Sequence, residues 1–213
     1  MTESRAAAIE IHCDEGVTLG KTSLNSSEPS KQLSVIALAG RRVDASDAGL
    51  VRFPLRNVRI VEERIRNCFL GAVGVLVCSA ACGSDLLALG VASELGIRRR
   101  VLLPFGRARF CETSVTDRPG DWAERYHRAL DEVEREQDLI ILGYDQADPA
   151  AYARTNAAIV DEALRIAEKE GRLAQASVVW DGKSRGSEDL TAQFLDHARE
   201  KGMPIVEILT VVF

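Results

Sequence analysis

The run Ser79-Ala-Ala-Cys-Gly-Ser-Asp85 lies between an apolar stretch, Val73–Cys78, and a second apolar stretch with helical character that starts at Ser84 or Asp85. Side chains this small let a ligand come close to the main chain. The first N–H groups of a helix lack intrahelical partners and carry a partial positive charge. Together they make a seat for phosphate. A two-residue turn would join strand to helix without so many small residues, so Gly83, Ser84 and Asp85 point to a ligand. Asp85 has a second use open to it, which is only to complement the helix dipole.

Other residues that could do chemistry stand just after apolar strands, where open parallel sheets bind their ligands. Gly40, Arg41 and Arg42 follow the first strand, and Ser79, Ala80 and the run to Asp85 follow the second. Pro104 and Phe105 follow the third, Gly143 and Tyr144 the fourth, Asp181 and Gly182 the fifth. Glycines, cations, a hydroxyl, carboxylates and aromatics are much the set that a nucleotide requires: N–H groups and Arg for phosphate, a carboxylate for ribose, a flat side chain for the base. Each has a plainer role available. Arg41 and Arg42 can be a solvated pair, Phe105 and Phe110 loop anchors, Trp180 core, and Asp181-Gly182 a tight turn. His12, His127 and His197 are scattered and form no site.

These positions depend on a regular framework. Strands are expected at Val35–Ala39, Val73–Cys78, Arg100–Leu103, Leu139–Leu142, Ser177–Trp180 and Pro204–Leu209. Helices are expected over Arg56–Leu70, where Val58, Val61, Ile65, Cys68 and Phe69 recur at helical spacing, and over Asp85–Leu95. Three more start at Asp121, which with Glu124 resembles a capping box, at Asp148-Pro149, and after Ser187 as N-cap. Phe105–Gly120 reads as a long loop of the kind that often carries function. Alternating short apolar strands and helices predict an α/β fold: a Rossmann-like, doubly wound, mainly parallel sheet of about six strands with helices on both faces. This domain spans 34–213. Residues 1–33 read as a flexible arm or linker, with a short strand at Ala6–Cys13. Gly16–Thr22 imitates a P-loop but has three residues between its glycines where four are needed.

The chain has 213 residues and a net charge of -5, which speaks against a duplex-DNA binder. The uncharged run Asn67–Ser84 approaches membrane-spanning length, but Gly71, Gly74, Ser79 and Gly83 interrupt it and Asp85 closes it. No membrane partner is expected. Five cysteines, none in a CxxC pair or near a ligating His, read as reduced thiols of a cytoplasmic protein. No metal or cofactor is called for.

Gly40-Arg-Arg-Val-Asp44, Arg52-Phe-Pro54, Gly83-Ser-Asp85 opening a helix, Leu103-Pro-Phe105, Phe110 before Ser114-Val115, and Val179-Trp-Asp-Gly182 leading to Thr191 occur in that order. In these elements the chain resembles the SLOG superfamily, whose members include the Lonely Guy cytokinin-activating enzymes, the DNA-processing protein DprA and ligand-sensing domains of bacterial defence systems. The resemblance covers roughly 35–208. It implies a domain that binds a nucleotide or nucleotide-derived signal, a sensor role in bacterial signalling or antiviral defence, a separate effector or signalling protein as partner, and a homodimer as an available state. It also implies a phosphate-cradling place for Thr191. The alternative is a phosphoribohydrolase that cleaves the N-glycosidic bond of a nucleoside monophosphate. With Thr191 set on the Thr of the enzymes' PGGxGTxxE motif, the motif is incomplete here: Leu190 replaces the glycine before that Thr, Ser187-Glu-Asp189 the glycine-rich approach, and Phe194 the Glu. Asp85 and Asp181 are the carboxylates left to support oxocarbenium-like chemistry.

Overall fold

A continuous apolar strand needs cover on both faces, and β1 (Ser34–Gly40) has it: Val35 to Ala39 are all buried. The computed structural model describes residues 33–211. The expected arm, the strand at Ala6–Cys13, the P-loop-like Gly16–Thr22 and His12 lie outside the described residues. After β1 the chain runs through α1 (Val58–Phe69), β2 (Val73–Cys78), α2 (Ser84–Glu94), β3 (Arg98–Leu103), α3 (Arg107–Ser114), α4 (Trp122–Arg135), β4 (Leu139–Ile141), α5 (Ala151–Glu170), β5 (Ala174–Trp180), α6 (Leu190–Glu200) and β6 (Ile205–Leu209).

The six strands form one sheet in the order β4-β3-β2-β1-β5-β6, and every pairing is parallel. This is the Rossmann-like architecture that the alternation predicts. Ile36, Leu38 and Leu76 face one core with residues of α1, α2 and α4. Val35, Ala37, Val75 and Val77 face the other with residues of α5 and α6. The chain walks outward from β1 to β4, then α5 carries it back to β5 beside β1. The strand order therefore reverses between β1 and β5, and a crevice is expected beyond their carboxyl ends.

Differences from the expected framework have local causes. Phe105–Gly120 is not all loop: α3 occupies 107–114, burying Phe110, Cys111 and Ser114 on one side of an otherwise polar sequence. Asp121 precedes α4 but makes no side-chain cap bond. The cap of α6 is Asp189, not Ser187, and it accepts from the N–H groups of Thr191 and Ala192. Asp148 accepts from Ala150 N–H at 2.8 Å, and α5 begins one residue later.

Strand β3 starts two residues earlier than its apolar part suggests, because consecutive arginines are accommodated by carboxylates. Arg98 and Arg100 both donate to Asp138, at 2.7 and 2.9 Å, and Arg99 donates to Glu132 and Glu136 at 2.6 and 3.0 Å. Burial opposes ionisation of Asp138, but the hydrogen bonds from Arg98 and Arg100 outweigh it and hold the carboxyl below its ordinary value. Asp138→Ala should therefore lower stability by about 1–3 kcal/mol, because two guanidinium groups lose a shared acceptor. Urea unfolding measures this, and an unchanged midpoint would mean that water replaces the carboxylate at no cost.

Candidate functional site

The crevice is present as a cleft of about 440 Å³ beyond the ends of β1 and β2. Its walls come from Gly40–Asp44 and Ala48–Leu50 after β1, from Ser79, Ala81 and Asp85, from Phe110, Thr113 and Ser114 of α3, and from the first turns of α5 and α6. Its volume is that of a small-molecule site.

Two contacts close the end of β1 against its neighbours. Ser84 Oγ donates to Arg41 O at 2.7 Å, which pins the start of α2 to the chain leaving β1. Gly83 has φ 87°, and a Cβ there would lie 2.9 Å from both Arg41 O and Val43 N. The small residues thus make room for the protein's own main chain. The N–H groups of the turn are engaged as well: Ala81 donates to Asp85, Cys82 to Ser114 O, Ser84 to Arg41 O and Leu86 to Ala81 O.

Arg41 is buried and points away from solvent. Its Nε donates to Asp181 at 3.0 Å, and its two terminal nitrogens donate to Asp189 at 2.6 and 2.8 Å, with a further bond to Lys183 O at 2.7 Å. Asp181 also accepts from Arg52 at 2.7 Å. Burial alone would raise the Asp189 carboxyl, but Arg41 and the Arg185 N–H bring it down to about 2. Arg42 donates twice to Asp117, at 2.8 and 2.7 Å, from the side of the cleft.

Of the residues expected at a site, Gly40, Arg41, Arg42, Ser79, Asp85 and Thr191 line the cleft. Ala80, Gly83, Ser84, Pro104, Phe105, Asp181 and Gly182 are outside its lining. Ala80 and Phe105 are core, and Phe105 meets Tyr152 edge-on at 5.7 Å. Gly182, at φ 78°, turns the chain after β5. Trp180 is buried and donates to Glu207. Phe194 is packed in the core with β1 and α5 side chains.

Sequence reasoning missed Tyr152, Thr155 and Asn156 on α5, and Arg118 and Arg185 in the loops after α3 and β5. Tyr152 Oη lies 2.9 Å from Thr113 Oγ1 and 3.1 Å from Ser114 Oγ, joining α5 to α3 across the cleft. The missed signal was topological: a helix that returns the chain to the centre of the sheet must pass the switch point with its first turn. Among the described residues, no cluster of His, Cys, Asp and Glu is suited to a metal ion.

Two cleft residues have unspent polarity. Ser79 is 8% exposed, and its Oγ has no hydrogen-bond partner among the described residues. Asp85 is 7% exposed, and burial raises its carboxyl to about 7 despite the Ala81 N–H and the nearby Arg42.

No protein-family model matches the chain, and no curated protein matches it. Among solved structures it is similar to DNA processing protein A (DprA) from Streptococcus pneumoniae, with 15% identity and a TM-score of 0.40, over 82% of this chain and 58% of that one. It is also similar to the carboxyl transferase domain of Rhizobium etli pyruvate carboxylase with oxalate, with 12% identity and a TM-score of 0.23, over 70% of this chain and 23% of that one. The fold assignment stands on the sheet order of this chain.

Two outcomes follow from the geometry. Gly83→Val should destabilise the protein by roughly 2 kcal/mol or more, since it combines a strained φ with a main-chain collision; a melting point equal to that of the unaltered protein would show that the 41–43 segment can move aside. The Asp189 carboxyl, held down to about 2, contributes stability that is complete above the unfolded value near 4 and is lost as pH falls from there toward 2. Asp189→Asn should flatten that acid limb in a pH series of melts.

Proposed function

We propose that this chain binds a nucleotide or nucleotide-derived signal in the cleft at the switch point and acts as a sensor or regulatory domain, through a separate effector protein. The observation that carries this reading is the composition of the cleft: a buried, unpartnered Ser79 hydroxyl within, and guanidinium groups toward solvent. The lining includes Arg41, Arg42, Arg52, Arg118 and Arg185 together with Asp44 and Asp85; of the arginines, Arg41 and Arg52 are engaged by Asp181 and Arg42 by Asp117. Arg118 and Arg185 have only long contacts to carboxylates, 3.5 Å to Asp117 and 3.6 Å to Asp189, so they are the cations with most capacity for a ligand phosphate. The SLOG-like order of motifs supports the same reading, as does the position of Thr191 on the cleft wall. No helix among the described residues is long and apolar enough to cross a membrane; the four described cysteines are free thiols, in keeping with the reducing, cytoplasmic setting of this reading, and the bacterial signalling or defence role is what the SLOG resemblance implies.

A second reading, N-glycosidic hydrolysis of a nucleoside monophosphate, is favoured by one observation: Asp85 is a buried carboxyl in the cleft with its proton held to about pH 7, suited to acid–base work. Against it, Asp181 is committed to Arg41 and Arg52 and lies outside the lining, so the two carboxylates do not share the chamber.

A thermal-shift panel of mono-, di- and cyclic nucleotides and ADP-ribose tests the first reading. A ligand at about 100 times its Kd should add about 2.7 kcal/mol of stability. No shift with any of them would overturn it. Incubation with AMP should release no free adenine; chromatographic detection of adenine, lost in Asp85→Asn, would establish the enzyme instead.

A further inference from the structure

The seat for phosphate that the sequence suggests at the start of α2 is filled from within. The N–H groups of Ala81 and Cys82 in the turn, and of Ser84 and Leu86 in the first turn of α2, already donate to protein acceptors. The charged side chain at this place, Asp85, is a carboxyl whose ionised form repels phosphate. A ligand therefore gains less by placing its anionic end there.

Asp85 and Ser79 offer a different complement. One Asp85 oxygen, Oδ2, accepts from Ala81 N–H at 3.1 Å. Among the described residues Ser79 Oγ meets no partner, and the Ala81 N–H reaches Asp85 at Oδ2 and not at Oδ1. Both side chains line the same cleft, and two oxygens with spare accepting capacity, one of them also able to donate, match a pair of hydroxyls. The exposure gradient gives the other end. Asp85 and Ser79 are nine-tenths buried, whereas the Arg118 and Arg185 side chains are 25% and 51% exposed.

We propose, resting on the reading of the cleft as a nucleotide site, that Asp85 and Ser79 bind the ribose 2′,3′-diol at the floor, and that the ligand's phosphate lies outward at Arg118 and Arg185. The cleft is thereby selective for ribonucleotides over their deoxygenated forms and over bare polyphosphates. Ionising Asp85 in the empty cleft is unfavourable because burial strips it of water. Two hydroxyl donors replace that water, so diol binding favours the ionised form and should strengthen as pH rises from about 6 to 8. Arg42 after β1 and Cys78 at the end of β2 act on Asp85 directly, and the other charged or titratable groups of the cleft lining are Arg41, Asp44, Arg52, Arg118, Tyr152 and Arg185; no His lines it.

Calorimetric titration of the full chain with AMP and ATP, with their 2′,3′-dideoxy forms and with pyrophosphate, decides the matter. The expected result is a preference of about ten-fold or more for each ribonucleotide over its dideoxy form at pH 8, smaller at pH 6. Asp85→Ala should erase the preference by weakening only the ribonucleotide, and Ser79→Ala should reduce it. Arg118→Ala should weaken both forms alike. Equal affinity of the unaltered protein for the ribo and dideoxy forms overturns the proposal while leaving a nucleotide site in place, and this comparison needs no variant to fold. A preference that survives in folded Asp85→Ala and Ser79→Ala overturns it too. Pyrophosphate binding tighter than either ribonucleotide places the anion at the floor and also refutes it. Failure of every nucleotide to bind removes the underlying reading itself.

Discussion

Arg41 holds the switch point together. Its guanidinium leaves β1, is buried, and divides its donors between the carboxylate after β5, the carboxylate that caps α6, and the Lys183 carbonyl in the loop between them. A buried charge without partners would be costly, and so would either carboxylate left without the arginine. The three groups therefore stand or fall together. Asp189 makes the coupling stricter, because the oxygens that receive Arg41 also receive the first N–H groups of α6 and the Arg185 N–H. The direction of α6, the course of the 183–188 loop and the exit of β1 are all set by one side chain.

What remains at the end of β1 is determined by crowding. Gly40 has no space for a side chain, since a Cβ would come within 2.6 Å of the Ser84 side chain and closer still to Val179 O. With β5 on one side and the start of α2 on the other, the chain after Gly40 opens a cavity only toward α5 and α3. The cleft is where close packing stops. Its polar lining is the ends of elements whose other residues are committed to the core.

The framework was legible because burial on both faces leaves a simple mark: apolar runs such as Val35–Ala39 and Val73–Cys78, separated by amphipathic helices. Asp85 and Ser79 were legible for a related reason, as polar residues at the end of such a run. Gly83 and Ser84 were legible as unusual and were misread in kind. Small residues announce close approach, but sequence does not say whether a ligand or another stretch of chain comes close. Arg41 presented the same ambiguity, because an arginine at a strand end looks alike whether its acceptors are phosphates or carboxylates 140 and 148 positions away. Tyr152 and Asn156 gave no local sign, since their position at the cleft is conferred by the path of α5 across the sheet.

That path has a consequence for how the protein comes into being. β2 follows β1 after one helix, but the other neighbour of β1, β5, is made well over a hundred residues later. Until then the central strand of the finished sheet is an edge strand, apolar on both faces and with an open row of main-chain donors and acceptors. The nascent chain must pass through a stage in which its most hydrophobic strand is also its most adhesive one. Arrival of β5 removes that hazard and, in the same event, brings Asp181 to Arg41 and shapes the cleft. Closure of the sheet's centre, protection from aggregation and assembly of the buried Arg41 cluster are thus linked through the pairing of β5 with β1.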